Sequence, residues 1–198
     1  MKAVWYERTG AAPDVLTFGE MPTPTAGPGE VRVKVEAASL NFPDLLMVKG
    51  QYQFKPDPPF VVGMDLAGVV DATGPGVTTF IPGARVAGGA KTGAFAEYAV
   101  CPASSLHVVP DDMASPLAAA YPAAYTTAYV SLVSRARLQS GETLLVHGAS
   151  GGVGMATIDV GRLLGARQEF ANHMADDGRA AQATAHQQAK ADLAHLVQ

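Results

Sequence analysis

Residues 142–154, Glu-Thr-Leu-Leu-Val-His-Gly-Ala-Ser-Gly-Gly-Val-Gly, constrain this chain more than any other stretch. The apolar run Leu144-Leu145-Val146 reads as a short strand that enters a glycine-rich turn. The turn opens an amphipathic helix whose apolar members are Val153, Ile158, Val160, Leu163 and Leu164. Strand, turn and helix in this order are the context that a phosphate-binding turn requires. Gly151 and Gly152 let the backbone approach a pyrophosphate, Gly154 lets helix and strand pack closely, and the N–H groups of the first helical turn attract the anion. The register is Ala149-Ser150-Gly151-Gly152-Val153-Gly154, with alanine where the first glycine of such a motif usually stands. A purely structural tight turn is the alternative reading.

The chain before this turn has a different character. Residues 2–7 and 14–20 read as short strands, and Val31, Val33, Val35 and Ala37 alternate with Arg32, Lys34 and Glu36 as in a strand with one wet face. Residues 41–49 form a short helix with Pro43 in its first turn, closed by Gly50, and the loop 51–59 is too rich in proline to be regular. Residues 60–70 are nearly all apolar and read as a buried strand pair, followed by strands near 84–87, 94–100 and 106–109. Many short strands without intervening helices indicate an all-β barrel or sandwich over residues 1 to about 110. Ser115 as N-cap with Pro116 then starts a helix running to about Arg137.

Composition narrows the function classes. Hydrophobic residues make up 48% and charged residues 16%, with a net charge of −4 and no Lys/Arg cluster, which argues against a nucleic-acid partner. One cysteine, Cys101, excludes an internal disulfide and a multi-cysteine zinc lobe, which fits a reducing, cytoplasmic compartment. The start of the chain meets charge too early for a secretory signal. Residues 113–134 carry no charge and are long enough to span a membrane, but their prolines, tyrosines and threonines suit a helix packed between protein layers. His107 and His147 lie on apolar strands and read as core or edge histidines; His186 and His195 lack a third metal ligand. After the first helix a Val/Ile strand is expected, and residues 168–173 do not read as one. The Ala/Gln-rich segment that follows suits a weak solvated helix over about 179–196, with Asp176 and Asp177 at its surface.

Several pieces now assemble in order: Ala38-Ser39-Leu40-Asn41-Phe42-Pro43-Asp44, Gly50-Gln51-Tyr52, residues 63–70, Gly83-Ala84-Arg85-Val86, residues 93–98 and the turn 149–154. With them the chain resembles the zinc-independent branch of the medium-chain dehydrogenase/reductases, the zeta-crystallin-like NADPH:quinone oxidoreductases. The resemblance implies a mixed fold: a GroES-like β-barrel domain over 1–113, then the first strand and helix of a Rossmann-like α/β domain, incomplete, over 114–167. An atypical helical or disordered tail occupies 168–198. It implies Asn41 and Tyr52 as catalytic residues, with Thr127, Ala149, Ser150, Gly151, Gly152, Val153 and Gly154 holding NADPH, NADH not being excluded. It also implies no metal, because zinc-dependent relatives place cysteine where Asn41 stands and histidine where Met64 stands.

Two functions follow. In one, the chain transfers a hydride from NADPH to a small quinone or enone without zinc, and NADPH rather than the side chains carries the redox chemistry. In the other, it is a truncated remnant or a non-catalytic binding module with weak nucleotide affinity. Leu144-Leu145-Val146, with no second strand to pair with, would seek another copy, so a homo-oligomer is expected.

Overall fold

The computed structural model describes residues 1–171, and they form two compact units that divide after Pro122. The sequence readings at Asp176, Asp177, His186, His195 and over 179–196 lie outside the described residues.

In the first unit, β1 (Lys2–Tyr6) is followed by a single helical turn, α1 (Ala12–Val15), and by β2 (Leu16–Glu20). The strand expected from Asp14 therefore starts two residues later. β1 and β2 pair antiparallel from Lys2↔Glu20 to Tyr6↔Leu16. β3 (Glu30–Ser39) is the alternating strand, with Val31 and Val33 fully buried. The helix α2 (Phe42–Val48) follows, then β4 (Phe60–Val61), β5 (Asp65–Thr73), β6 (Arg85–Gly89), β7 (Tyr98–Pro102) and β8 (Leu106–Val108). These build a three-stranded sheet in the order β2-β1-β4 and a five-stranded sheet in the order β7-β3-β5-β6-β8.

The ladders do not close into a barrel. Residues 94–97, read as part of a strand in the sequence, instead stitch the two sheets together. The Val4 N–H donates to the Phe95 carbonyl, the Glu97 N–H to Lys2 and the Val35 N–H to Glu97, at 2.8, 3.0 and 2.9 Å. A chain that exchanges partners between two sheets satisfies its backbone groups without a continuous ladder. The five-stranded sheet has its own core, which holds Val31, Val33, Leu66, Val70, Val86 and Cys101. β3 and β5 come close at Gly68, where any Cβ would collide with the Lys34 carbonyl.

The helix α3 (Ser115–Tyr129) contains Pro122, and the unit division falls inside it. Its Ala118 and Ala119 pack on Ala67, Ala87 and Val109 of the first unit. Ser115 starts the helix, but its hydroxyl is engaged by Glu36 at 2.6 Å and by Arg85 at 3.2 Å. Arg85 also donates to the carbonyls of Pro110, Asp111 and Met113, at 2.6 to 2.8 Å, which fixes the chain leading into α3. Helical winding continues past Tyr129 as wider π turns over Val130–Arg135, close to the expected end at Arg137. Among the described residues no helix is long and apolar enough to cross a membrane.

The second unit contains β9 (Thr143–His147), α4 (Gly152–Leu163) and β10 (Arg167–Ala171). β10 corrects the sequence reading of 168–173. It pairs parallel with β9, from Arg167↔Thr143 to Ala171↔His147. The turn after α4 determines this: Gly165 has φ 79°, its carbonyl accepts from the Gly141 N–H at 2.9 Å, and the Arg167 N–H donates to Glu142 at 2.8 Å. Backbone geometry at the turn thus delivers the chain to the sheet, although its side chains are not of the β-branched type. The expectation of self-association rested on β9 lacking a neighbour, and β10 supplies one on one edge.

Candidate functional site

Asn41 is the N-cap of α2, in extended backbone with φ −114° and ψ 159°. Pro in the first turn and an Asx residue at the cap define this start locally. The Asp44 carboxylate reaches back to accept the Asn41 N–H at 2.8 Å, the reciprocal half of a capping box. The Asn41 side-chain amide donates to Asp65 at 3.0 Å and to the Ser39 hydroxyl at 3.1 Å. Both amide donors are therefore engaged, and the amide oxygen, which faces the Asp44 backbone N–H in the capping box, keeps a second lone pair for a ligand.

Asp44 is only 3% exposed. Among the described residues no hydrogen bond reaches its Oδ1. Burial raises the Asp44 pKa above its ordinary 3.8, and the nearby Asp65 carboxylate adds to the rise. The backbone N–H groups of Asn41 and Met64 pull the other way.

Tyr52 follows the opposite end of α2, so the helix holds it roughly 10 Å along its axis from Asn41. The Gln51 and Tyr52 N–H groups donate to the Leu46 carbonyl at 2.8 and 3.2 Å, and Gly50 makes the exit with φ 68°. The Tyr52 ring lies half-buried against the cluster of Tyr6, Met47, Val48 and Phe60. Beyond it, Lys91 sits 4.7 Å over the Phe54 ring, joining the proline-rich loop to the loop before β7.

The second unit carries the other sequence-selected residues. The left-handed turn after β9 is made by Gly148, with φ 69°, and not by Ala149, which is why alanine is tolerated there. Ala149 is buried, and a Cβ on Gly154 would lie 2.9 Å from its Cα and collide with the Gly148 carbonyl. Gly154 thus serves close packing. Gly151 and Gly152 differ: a Cβ on Gly151 meets only the Gly148 carbonyl, at 3.6 Å, and one on Gly152 meets nothing. Gly151 caps α4, so the N–H groups of Gly152, Val153 and Gly154 have no partner within the helix. Open space above unpaired N–H groups at a helix N-terminus fits a pyrophosphate. Thr127 is exposed on α3, and its carbonyl accepts from the Ser131 hydroxyl at 2.7 Å. Asn41 and Tyr52 belong to the first unit; Thr127 and the turn belong to the second.

Among the described residues no three His, Cys, Asp or Glu side chains gather as ligands. Cys101 is fully buried, and its thiol is pushed up to about 12 by burial, with Glu30 adding to the rise. A thiol so protonated is not a nucleophile at neutral pH. His107 and His147 are exposed on their strands.

Sequence reasoning missed Asp159. Val153 and Leu163, taken as apolar members of α4, are 46% and 58% exposed, whereas Asp159 is 5% exposed. The Tyr125 hydroxyl of α3 donates to its Oδ2 at 2.9 Å, beside a core of Ala128, Leu132, Ala156 and Val160. The tyrosine in an alanine-rich helix was the only available signal. It missed Asp44 as well, although Asn41 and Asp44 stand at capping-box spacing.

Residues 27–111 match the alcohol dehydrogenase GroES-like domain. Over 145 residues the chain is 42% identical to quinone oxidoreductase-like protein 2 of Mus musculus, covering 73% of this chain and 41% of that protein. Over 138 residues it is 47% identical to erythronolide synthase EryA2 of Saccharopolyspora erythraea, covering 70% of this chain and 4% of that one. The quinone oxidoreductase of Thermus thermophilus, whose structures include a complex with NADPH, superposes with a TM-score of 0.75 at 36% identity. That superposition covers 86% of this chain and 52% of that one. The chain thus spans about half the length, or less, of these relatives. Residues 27–111 are an alcohol dehydrogenase GroES-like domain, and over the span it shares with them the chain is a homologue of the quinone oxidoreductase-like medium-chain dehydrogenase/reductases.

Proposed function

We propose that this chain serves an oxidoreductase that transfers a hydride from NADPH to a small quinone or enone without zinc. The observation that carries the reading is the open space above Gly151 and Gly152 at the N-terminus of α4, which a Cβ would begin to fill. Ala149, Ser150, Gly151, Gly152, Val153 and Gly154 hold the pyrophosphate, chiefly through the backbone N–H groups of residues 152–154. NADPH, when bound, supplies the hydride. The relatives named for quinone oxidation and reduction, one with an NADPH complex, favour this cofactor and substrate class.

In this reading Asn41 accepts rather than donates. Its amide N–H groups are held by Asp65 and Ser39, which orients the amide oxygen toward the N–H groups of a carboxamide. Tyr52 is then the donor that polarises a substrate carbonyl, through its phenolic hydroxyl. Thr127, an exposed hydroxyl on α3, adds a contact to the cofactor. Zinc has no role because Asn41 and Met64 offer an amide already engaged and a thioether.

The test is quinone-dependent NADPH oxidation by the purified chain and by Tyr52→Phe. Turnover that falls about 10²-fold in Tyr52→Phe with NADPH affinity unchanged is expected from loss of one oxyanion donor. Turnover equal in the two proteins contradicts the role of Tyr52. NADPH binding without turnover leaves the pyrophosphate turn standing and removes the catalytic part of the proposal.

A further inference from the structure

The first unit holds a cavity of about 420 Å³ that contains none of the residues assigned above. Its floor is apolar: Tyr6, Met47 and Phe60 are 3%, 5% and 9% exposed and belong to one cluster. Its rim carries Arg8, Lys55 and Asp57. Among the described residues no carboxylate lies within ion-pair distance of Arg8 or Lys55, and the only partner of the Arg8 guanidinium is the Asp14 carbonyl at 3.3 Å. Two cations and one carboxylate leave the rim with one net positive charge. The volume falls in the range of small-molecule sites, which combine an apolar lining with a few polar groups that fix orientation.

We propose that this cavity binds a small amphipathic carboxylate, its apolar body on Tyr6, Met47 and Phe60 and its anionic end toward Arg8 and Lys55. The single net charge selects a monoanion over a dianion, because Asp57 repels a second negative group. One wall of the cavity is residues 55–58 of the proline-rich loop that also carries Tyr52, and Tyr52 packs on the same apolar cluster as the floor. The lining also includes Gly50, whose left-handed backbone begins that loop. A ligand seated here ties the loop to β1 and α2 and thereby restrains Tyr52. The site is therefore an effector site acting on the loop, separate from the pyrophosphate turn, and its existence does not depend on the proposed reaction.

Phenylbutyrate is a suitable probe, with phenylbutanol and phenylbutylamine as neutral and cationic comparators of the same body. Amide chemical shifts of the full chain are followed in titrations at low and high salt. Saturable phenylbutyrate binding with shifts in residues 6–9 and 47–60, Tyr52 included, is expected. The alcohol, the amine and high salt should each weaken binding by about fivefold or more, as should the exposed double variant Arg8→Ala/Lys55→Ala, whose fold circular dichroism checks. Absence of saturable binding by the folded chain, equal affinity for the alcohol, or an unchanged affinity in the double variant overturns the site. Binding that leaves the Tyr52 amide unmoved overturns the coupling.

Discussion

Asp44 shows how a single buried group sets a pH dependence. The carboxyl holds the start of α2 through the Asn41 N–H, yet it is buried, close to Asp65, and without a hydrogen bond at Oδ1. Its pKa in the fold is raised above the unfolded value. The folded state therefore binds more protons between the two values, and the contribution to stability is fully present below the unfolded pKa. That contribution is lost as pH rises through the folded pKa. Asp44→Asn removes the titration while keeping an oxygen able to accept from Asn41. Thermal melts from pH 4 to 7 should show the parent losing stability relative to Asp44→Asn as pH rises. Parallel melting curves across that range would contradict the assignment. Asn41 was singled out from its motif, but the direction of its hydrogen bonding was not legible. The partners Ser39 and Asp65 are brought to it by the β3–β5 ladder, where Ser39 pairs with Asp65.

The strands and the turn before α4 were the most readable elements. β3 follows its alternation, and 144–146 forms the body of β9, because period-two patterning and glycine placement act locally. β10 was not readable. Parallel pairing is a backbone matter set by the turn at Gly165, and Gln168 contributes by donating to the Ile158 carbonyl of α4. Local patterning likewise failed at α4, where a carboxylate lies inside the apolar stripe because α3 supplies Tyr125 to meet it. Two helices sharing a partly buried hydrogen bond make a specific prediction. Tyr125→Phe keeps the ring and removes the donor, so it should cost about 1–3 kcal/mol in urea denaturation, nearer the lower figure because Asp159 has further interactions. No change in the denaturation midpoint would mean that the hydroxyl contributes nothing to α3–α4 packing.

On the scale of the molecule, the proposed roles fall on two units. The first carries Asn41 and Tyr52, the proposed substrate contacts, and the cavity lined by residues 55–58; the second carries the proposed pyrophosphate turn between β9 and α4. The family was legible because its motifs recur in order along the chain. Closure of the β strands was not legible, since residues 94–97 choose between two sheets through hydrogen bonds that no local pattern encodes. The glycines of the cradle carry separable duties. Gly154 has no room for a side chain, whereas Gly152 faces open space and an added methyl there leaves the fold untouched. The most direct measurement is an NADPH fluorescence titration of the parent chain beside Gly152→Ala, with melting temperatures taken on the same samples. Saturable binding by the parent and about tenfold weaker binding by Gly152→Ala, at unchanged melting temperature, is the expected result for a methyl that intrudes on a bound pyrophosphate. Equal affinity in the two proteins, or no saturable binding by the parent, would contradict the assignment of this turn to the cofactor.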